Sequence, residues 1–176
     1  MFGIILLGKS NSGKSTIGKK VAEVLGIRYI SSGDIARGMD DKKTQEELNI
    51  GKLAPEDEMR KCILAEINNG ESYVLDGFPR FYEQYEWINL QISHELVYVF
   101  IDASDEDIIS RAKSRGRDDD ESIMKKLEFY QEKTVPMMKE IINGNSETVY
   151  IINNDTGSIV NNNVLEVCRQ VEDYLC

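Results

Sequence analysis

Histidine and cysteine are scarce in this sequence of 176 residues. His94 is the only histidine and stands before a predicted strand, so neither a catalytic triad nor a histidine-rich metal site is expected. The three cysteines, Cys62, Cys168 and Cys176, lack the spacing of a metal or redox motif. An odd number of cysteines without a pattern favours packing roles and a reducing compartment, and we expect a cytoplasmic location.

Long apolar runs and excess positive charge are also absent. No stretch approaches the roughly 20 apolar residues that span a bilayer. The sequence begins with a strand-like run and not with a basic segment and a cleavage site, so we expect neither membrane insertion nor a signal peptide. The net charge of −10 argues against a general nucleic-acid-binding protein and makes any local basic cluster more informative.

The most informative motif is GKSNSGKS at residues 8–15, which fits the phosphate-binding loop pattern G-x-x-x-x-G-K-[ST]. A short apolar run precedes it and a helix-like segment follows, and this context disfavours a chance match in a glycine- and serine-rich turn. The glycines let the backbone wrap with its N–H groups pointing inward, and the helix that follows adds its positive dipole end. In this pattern Lys14 reaches the β and γ phosphates and the Ser15 hydroxyl ligates Mg²⁺. The predicted donor-site residues of the loop are Gly8, Asn11, Ser12, Gly13, Lys14, Ser15 and Thr16.

Strands and helices are predicted to alternate along the whole chain, with no internal repeat. The predicted strands are 2–7, 28–31, 73–75, 95–101 and 148–152. The predicted helices are 15–25, 56–69, 81–91, 105–114, 121–143 and 160–175. Because the strands are short and apolar throughout, both faces of the sheet should be covered. The order predicts one α/β domain over 1–176, a three-layer P-loop NTPase fold with a five-stranded parallel sheet. A small helical insert is expected at about 32–55.

A second anion site is predicted where SYVLDGFPRFYEQ (residues 72–84) leaves its strand. Asp76 ends the strand and is placed to hold Mg²⁺ opposite Ser15. Arg80 suits a phosphate, and Gln84, one helical turn on, suits a two-way hydrogen bond with a base edge. A surface ion pair is the alternative for Arg80.

The segment SSGDIAR (31–37) adds a further cation to this site. Asp34 and Arg37 lie three residues apart at a helix start and share one face. Arg37 is then a second acceptor-phosphate cation, while Asp34 serves equally well as a ligand or as the cap of the helix.

A basic cluster follows in RAKSRGRDDD (111–120), with Arg111, Lys113, Arg115 and Arg117 within seven residues. A solvated helix end, favoured by the helix dipole, is the alternative to a phosphate-binding role. The phosphate loop elsewhere in the chain favours the second interpretation.

With these motifs in order, the chain resembles an adenylate kinase, of the nucleoside-monophosphate kinase family with a short lid. The resemblance rests on GKSNSGKST, SSGDIAR, GKLAPED, LDGFPRFYEQ, RGRDDD and KKLEFYQEKTVPMM. It implies that Arg111 stacks on the adenine of ATP, and that Arg115 and Arg117 contact the transferring phosphate from a lid at about 111–121. It further implies an acceptor site for AMP, formed by Ser32, Arg37, Gly77, Arg80 and Gln84.

The sequence departs from the family pattern at several positions. Ser15 and Lys126 stand where the family usually has glycine and arginine, and Lys9 inside the loop is unusual. Lys126 keeps the charge without the planar fork of arginine. The lid aspartate pair is either Asp118 and Asp119 or Asp119 and Asp120.

The predicted reaction is therefore ATP + AMP ⇌ 2 ADP, with Mg²⁺ as cofactor and a monomeric enzyme. The expected catalytic residues are Lys14, Arg80, Arg115, Arg117 and Lys126, and the expected metal ligands are Ser15 and Asp76. In the branch of the family that prefers UMP or CMP an asparagine usually replaces the glutamine, so Gln84 favours AMP. A kinase of the same design for UMP, CMP or dCMP, or a weakly active nucleotide-binding sensor, are the alternatives.

Overall fold

Five parallel strands form one sheet in the computed structural model, which describes residues 1–39, 46, 53–116, 119–144 and 149–175. The strands are β1 (Phe2–Leu7), β2 (Arg28–Ser31), β3 (Tyr73–Asp76), β4 (Glu95–Asp102) and β5 (Val149–Asn153). Their order across the sheet is β2-β3-β1-β4-β5. The predicted five-stranded parallel sheet of a P-loop fold is confirmed, and the register places Leu6 beside Asp76 and Leu7 beside Phe100. This brings the ends of β1, β3 and β4 together at one edge.

The helices connect these strands. They are α1 (Lys14–Leu25), α2 (Ser32–Gly38), α3 (Glu56–Ile67), α4 (Tyr82–Gln91), α5 (Asp105–Arg115), α6 (Asp120–Phe129), α7 (Val135–Gly144) and α8 (Val160–Leu175). The outer ends predicted for these elements agree with the structure to within two residues; α2 falls in the predicted insert, and the predicted helix 121–143 corresponds to α6 and α7 together. The largest difference is at α3, which ends at Ile67 and not at Asn69, where two asparagines and Gly70 follow.

Two apolar layers cover the sheet because alternate side chains of β1 point to opposite faces. Ile4 and Leu6 pack with Ile17 of α1 and Val167 of α8 on one face. On the other face Ile5 and Leu7 pack with an apolar set from α3, α4 and α7 that includes Ile63, Ile88, Met137 and Ile141. The resulting three layers hold the strand ends rigidly, and the candidate site lies at those ends.

The predicted long helix 121–143 contains an irregularity. A single π-helical turn, Tyr130–Thr134, separates α6 from α7. Such turns hold one extra residue and are frequent at functional sites. Tyr130 and Thr134 both line the cavity described below.

Parts of the predicted insert and lid lie outside the described residues, namely 40–45, 47–52 and 117–118. Arg117, Asp118 and the start of GKLAPED are among them. No helix in the described part of the chain is long and apolar enough to cross a membrane.

Candidate active site

The phosphate loop connects β1 to α1 and depends on its two glycines. Gly8 has φ +138°, and a Cβ there would lie 2.2 Å from the Ile101 carbonyl oxygen. Gly13 has φ +95°, and a Cβ there would lie 2.3 Å from Nδ2 of Asn154. Neither position accepts a side chain, so the loop keeps its close approach to β4 and to the residues after β5. The helix α1 begins immediately afterwards at Lys14, as the motif predicts.

Lys14 is held above the loop by backbone oxygens. Its ammonium donates to the Gly8 carbonyl oxygen at 2.9 Å and to that of Lys9. Burial lowers the pKa of Lys14 to about 8; Asp76 opposes this change, and Arg80 and Arg115 add to it. No carboxylate of the described residues forms an ion pair with this ammonium, and a bound phosphate group would supply an anionic partner.

Asp76 forms the centre of the site. It is 5% exposed, and its Oδ2 accepts hydrogen bonds from the Ser15 hydroxyl at 2.6 Å and from the Tyr29 hydroxyl at 2.7 Å. Ser15 and Asp76, the two predicted metal ligands, are therefore in direct contact. Tyr29 was missed by the sequence prediction, because its position depends on β2 lying beside β3.

The second predicted site forms around Arg80. The guanidinium Nε donates to the Gly77 carbonyl oxygen at 2.8 Å, and burial lowers the pKa of Arg80. The Arg80 carbonyl oxygen accepts from the Thr134 hydroxyl at 2.7 Å, which connects this loop to the π-turn. Arg80 is therefore no surface ion pair, and that alternative is wrong. Ser32 lies close by with a buried hydroxyl oxygen that has no hydrogen-bond partner among the described residues.

Asp34 and Arg37 form an exposed ion pair on α2. The hydrogen bond from Arg37 is the main cause that lowers the pKa of Asp34. Asp34 does not cap this helix, so that alternative is wrong. The cap is Ser31, whose hydroxyl oxygen accepts from the Asp34 N–H at 3.1 Å.

A cavity of about 500 Å³ joins the phosphate loop to this second site. Twelve of the predicted site residues line it, and they come from five segments of the chain. They are Gly8, Asn11, Lys14, Ser15, Ser32, Arg37, Asp76, Gly77, Arg80, Gln84, Arg115 and Lys126. Ser12, Gly13, Thr16 and Arg111 are not among its lining residues. The structure thus brings the predicted donor and acceptor residues to one cleft.

The basic cluster of α5 divides into two groups. The guanidinium of Arg111 donates to the carbonyl oxygens of Ser12 at 3.3 Å and Asn154 at 2.6 Å, beneath the phosphate loop. Arg115 lines the cavity and donates to Oδ1 of Asn11 at 3.2 Å. Lys113 instead points outward to Asp120, 3.2 Å away, as expected for a solvated helix end. Arg117 lies outside the described residues.

Two further side chains support the loop and were not predicted. Asn154 donates through Nδ2 to the Ser12 carbonyl oxygen at 2.8 Å. Lys9 donates to the Ala103 carbonyl oxygen at 2.9 Å and pairs with Asp105 at 2.7 Å. Asn154 stands directly after β5. A polar residue at the carboxyl end of a parallel strand is typical of a ligand site, and this pattern could have predicted a role for Asn154.

Comparison with known proteins identifies the family. Residues 7–126 match a family model described as "AAA domain". An adenylate kinase of Encephalitozoon cuniculi is 31% identical over 146 residues, covering 77% of this chain and 81% of that protein. Adenylate kinase isoenzyme 1 of Homo sapiens is 29% identical, covering 77% and 78%, and an adenylate kinase of Corynebacterium glutamicum (strain R) is 33% identical, covering 77% and 83%.

Among solved structures, a gluconokinase from Sinorhizobium meliloti 1021 superposes with a TM-score of 0.72 at 17% identity, covering 97% of this chain and 91% of that one. At this identity the match concerns the fold alone. The curated relatives are closer in sequence, at 29–33% identity over 77% of this chain. The chain therefore belongs to the family of this AAA domain model and to the adenylate kinase family, which are nucleoside-monophosphate kinases.

Proposed function

We propose that this enzyme transfers the γ-phosphoryl group of ATP to AMP, giving two ADP, with Mg²⁺ as cofactor. The charge of the cavity carries this proposal. Five cations among the described residues line it, Lys14, Arg37, Arg80, Arg115 and Lys126, against the single carboxylate of Asp76. In a chain with a net charge of −10 this local excess is the opposite of the background. It is suited to two polyanionic nucleotides in one cleft.

The donor triphosphate is proposed to bind on the phosphate loop. The loop offers the N-terminus of α1 and the Lys14 ammonium, which exchanges its backbone carbonyl partners for phosphate oxygens. Arg111 and Asn154 bind the backbone of the loop from below and keep its shape fixed. The loop thereby positions the phosphates before the reaction and does not have to reorganise during it.

The metal site fits Mg²⁺ by the chemistry of its donors. Ser15 and Asp76 supply two oxygen atoms 2.6 Å apart at the cavity wall. Among the described residues no group of three or more histidine, cysteine or acidic side chains is placed to hold a metal alone. Mg²⁺ commonly binds through one or two protein oxygens together with substrate phosphates and water. When bound it would neutralise charge on the phosphates. Ser15 and Asp76 would hold it, and the Tyr29 hydroxyl restrains the Asp76 carboxylate.

The acceptor monophosphate is proposed to bind at the other end of the cavity. Arg37 and Arg80 pair with its phosphate, and Gln84 contacts the base. Arg80 is half-buried, and Asp76 is the one opposite charge that acts on it among the described residues, so an incoming phosphate gains a strong hydrogen-bonding partner there. Gln84 is 3% exposed and lines the same cavity, in a place where a base would be removed from water.

Transfer needs no covalent intermediate on the enzyme. We propose that Arg115, Lys126 and Arg117 stabilise the charge on the transferring group from the short lid, at about 111–121, while an insert at about 32–55 covers the acceptor. We further propose that the enzyme acts as a monomer. Cys62 and Cys168 are free thiols, which supports a reducing compartment such as the cytoplasm.

A coupled assay of ADP formation with MgATP tests this proposal against a panel of AMP, CMP, UMP, dCMP and GMP. We expect the highest kcat/KM with AMP and a loss of activity when Mg²⁺ is chelated. A higher kcat/KM with a pyrimidine nucleotide would assign the enzyme to the alternative acceptor class. Binding of nucleotides without turnover of any monophosphate would refute the proposed reaction and favour a sensor.

A further inference from the structure

We infer that Glu56 determines base specificity by fixing the orientation of the Gln84 amide. The inference rests on the proposed function, in which Gln84 faces the acceptor base. Glu56 is the first residue of α3 and lies in the GKLAPED segment, but it is not one of the residues predicted for the acceptor site. Its effect would be to favour bases that carry an amino group beside a ring nitrogen over bases that carry a carbonyl group beside a ring N–H.

Two contacts define the orientation of the amide. The Oε1 atom of Gln84 accepts from the backbone N–H of Arg80 at 2.7 Å. Its Nε2 atom donates to Oε2 of Glu56, also at 2.7 Å. A backbone N–H can only donate and a carboxylate can only accept, so exchanging the amide oxygen and nitrogen would break both bonds. The contact with the carboxylate is the stronger of the two because its acceptor is charged.

Glu56 is itself anchored. Its Oε1 accepts from Nε of Arg60 at 2.6 Å, one helical turn along α3. The Arg60 guanidinium lies 5.1 Å from the centroid of the Trp87 ring, and Trp87 packs edge to face on Phe78. Phe78 is a wall of the cavity. One oxygen of the Glu56 carboxylate therefore binds Arg60 and the other binds Gln84. The contacts from Arg60 through Trp87 to Phe78 connect this carboxylate to the wall of the acceptor pocket.

The hydrogen-bonding groups of Gln84 that remain for a base therefore have fixed positions. A glutamine amide has two N–H donors and two oxygen lone pairs, and the two contacts use one of each. One donor, on the side of Glu56, and one acceptor, on the side of Arg80, are left for a base. Adenine and cytosine present an amino donor next to a ring-nitrogen acceptor, whereas uracil and guanine present a carbonyl acceptor next to a ring N–H. In the proposed site Arg37 and Arg80 hold the phosphate, so the base enters in one orientation. Only one of these orders then matches a fixed amide, and the inference assigns it to the amino-bearing bases, while the other order leaves polar groups unpaired.

Glu56→Gln tests the inference. In this variant Arg60, which can only donate, takes the one remaining oxygen, so the new NH₂ group faces Gln84. Two donors cannot pair, and the Gln84 amide is no longer held in one orientation. We expect the ratio of kcat/KM for AMP over UMP, and for AMP over GMP, to fall at least about tenfold, in the range typical of one bidentate base contact. Glu58→Gln is the matched control, because Glu58 lies in the same first turn of α3 and is exposed.

Arg60→Met provides a second, independent variant. It leaves Glu56 in place and removes its anchor, so both ratios should fall in the same direction by a smaller factor. Thermal melting of each variant separates loss of folding from loss of selectivity. A purely structural role for Glu56 would lower kcat/KM for all monophosphates alike.

The possible outcomes separate this inference from the proposed reaction. If the wild-type enzyme prefers AMP and both folded variants keep the wild-type ratios, the role of Glu56 is wrong while the reaction stands. If Glu56→Gln does not fold, the ratios measured with Arg60→Met decide. If the wild-type enzyme phosphorylates no monophosphate, the proposed reaction itself fails, and the wild-type panel reveals this before any variant is made.

Discussion

Raising the pH above the pKa of Lys14 should weaken ATP binding, because the triphosphate pairs with the protonated ammonium. In the free protein, burial lowers this pKa from 10.5 to about 8, and the bound phosphates would raise it again. Nucleotide binding must therefore take up a proton at pH values between the pKa of Lys14 in the free protein and its higher pKa in the complex. Below that pKa the ammonium is already charged, and affinity should be insensitive to pH.

The expected magnitude follows from the charged fraction. With a pKa near 8, Lys14 is about 0.9 protonated at pH 7 and about 0.1 protonated at pH 9, and the apparent affinity scales with the competent fraction. ATP should therefore bind about tenfold more weakly at the higher pH. The phosphates of the nucleotide lose their last proton near pH 6 and do not interfere in this range.

Isothermal titration calorimetry measures both quantities. Titrations of MgATP in two buffers of different ionisation enthalpy give the number of protons taken up on binding. We expect close to none at about pH 7 and close to one at about pH 9. Lys14→Met is the control: it should bind weakly, show no proton uptake, and lower kcat/KM by about 10²- to 10³-fold, comparable with the loss of one oxyanion-hole donor.

Wild-type protein that takes up no proton near pH 9 would refute the reasoning on Lys14.

The lowered pKa of Lys14 also affects the stability of the folded protein. Because the pKa of Lys14 in the folded protein lies below 10.5, the unfolded chain binds this proton more tightly. Lys14 therefore lowers the free energy of unfolding at neutral pH, and this destabilisation disappears as the pH rises from about 8 to 10.5. Lys14→Met should therefore raise the melting temperature of the nucleotide-free protein at neutral pH.

Three further substitutions test individual contacts. Arg80→Ala should raise KM for all monophosphates alike, whereas Gln84→Ala should narrow the AMP-to-UMP preference by about 1–3 kcal/mol, so steady-state kinetics on both acceptors should separate anchoring from base selection. Lys9→Met removes the pair with Asp105 and should weaken ATP binding about threefold, as expected for one partly exposed ion pair, and Asp105→Asn should do the same in calorimetry. Lys126→Arg should raise the rate of phosphoryl transfer in single-turnover experiments with little change in nucleotide binding, and a slower step would mean that the site is built around lysine.

Local sequence patterns predicted the sheet and much of the cavity wall. The strands are short apolar runs separated by helical segments, and in a parallel α/β fold this order places their ends at one edge. Lys14 and Ser15 begin α1 after the loop that follows β1. Asp76 is the last residue of β3, and Arg80 and Gln84 follow it in the next turn and helix. Their convergence therefore follows from the topology.

The supporting contacts could not be predicted in this way, because they join segments far apart in the chain. Tyr29 reaches Asp76 across 47 positions, and Asn154 reaches Ser12 across 142. Glu56 bonds to Gln84 from a helix whose distance from β3 is set by packing. Each contact depends on strand order and helix placement, which a single sequence does not encode in any short pattern.

The π-turn at Tyr130–Thr134 has a consequence for how the long helix can change. Each residue of an α-helix turns the chain by about 100° around the helix axis. The additional residue of the π-turn therefore changes the direction in which the side chains of α6 point relative to those of α7. Met137 and Ile141 are fully buried and fix the later part in the core. Deleting one residue within the turn would restore a regular helix and rotate Lys126 out of the cavity. In this stretch the length of the chain is therefore as constrained as its composition, and relatives should tolerate substitutions there more readily than single-residue deletions.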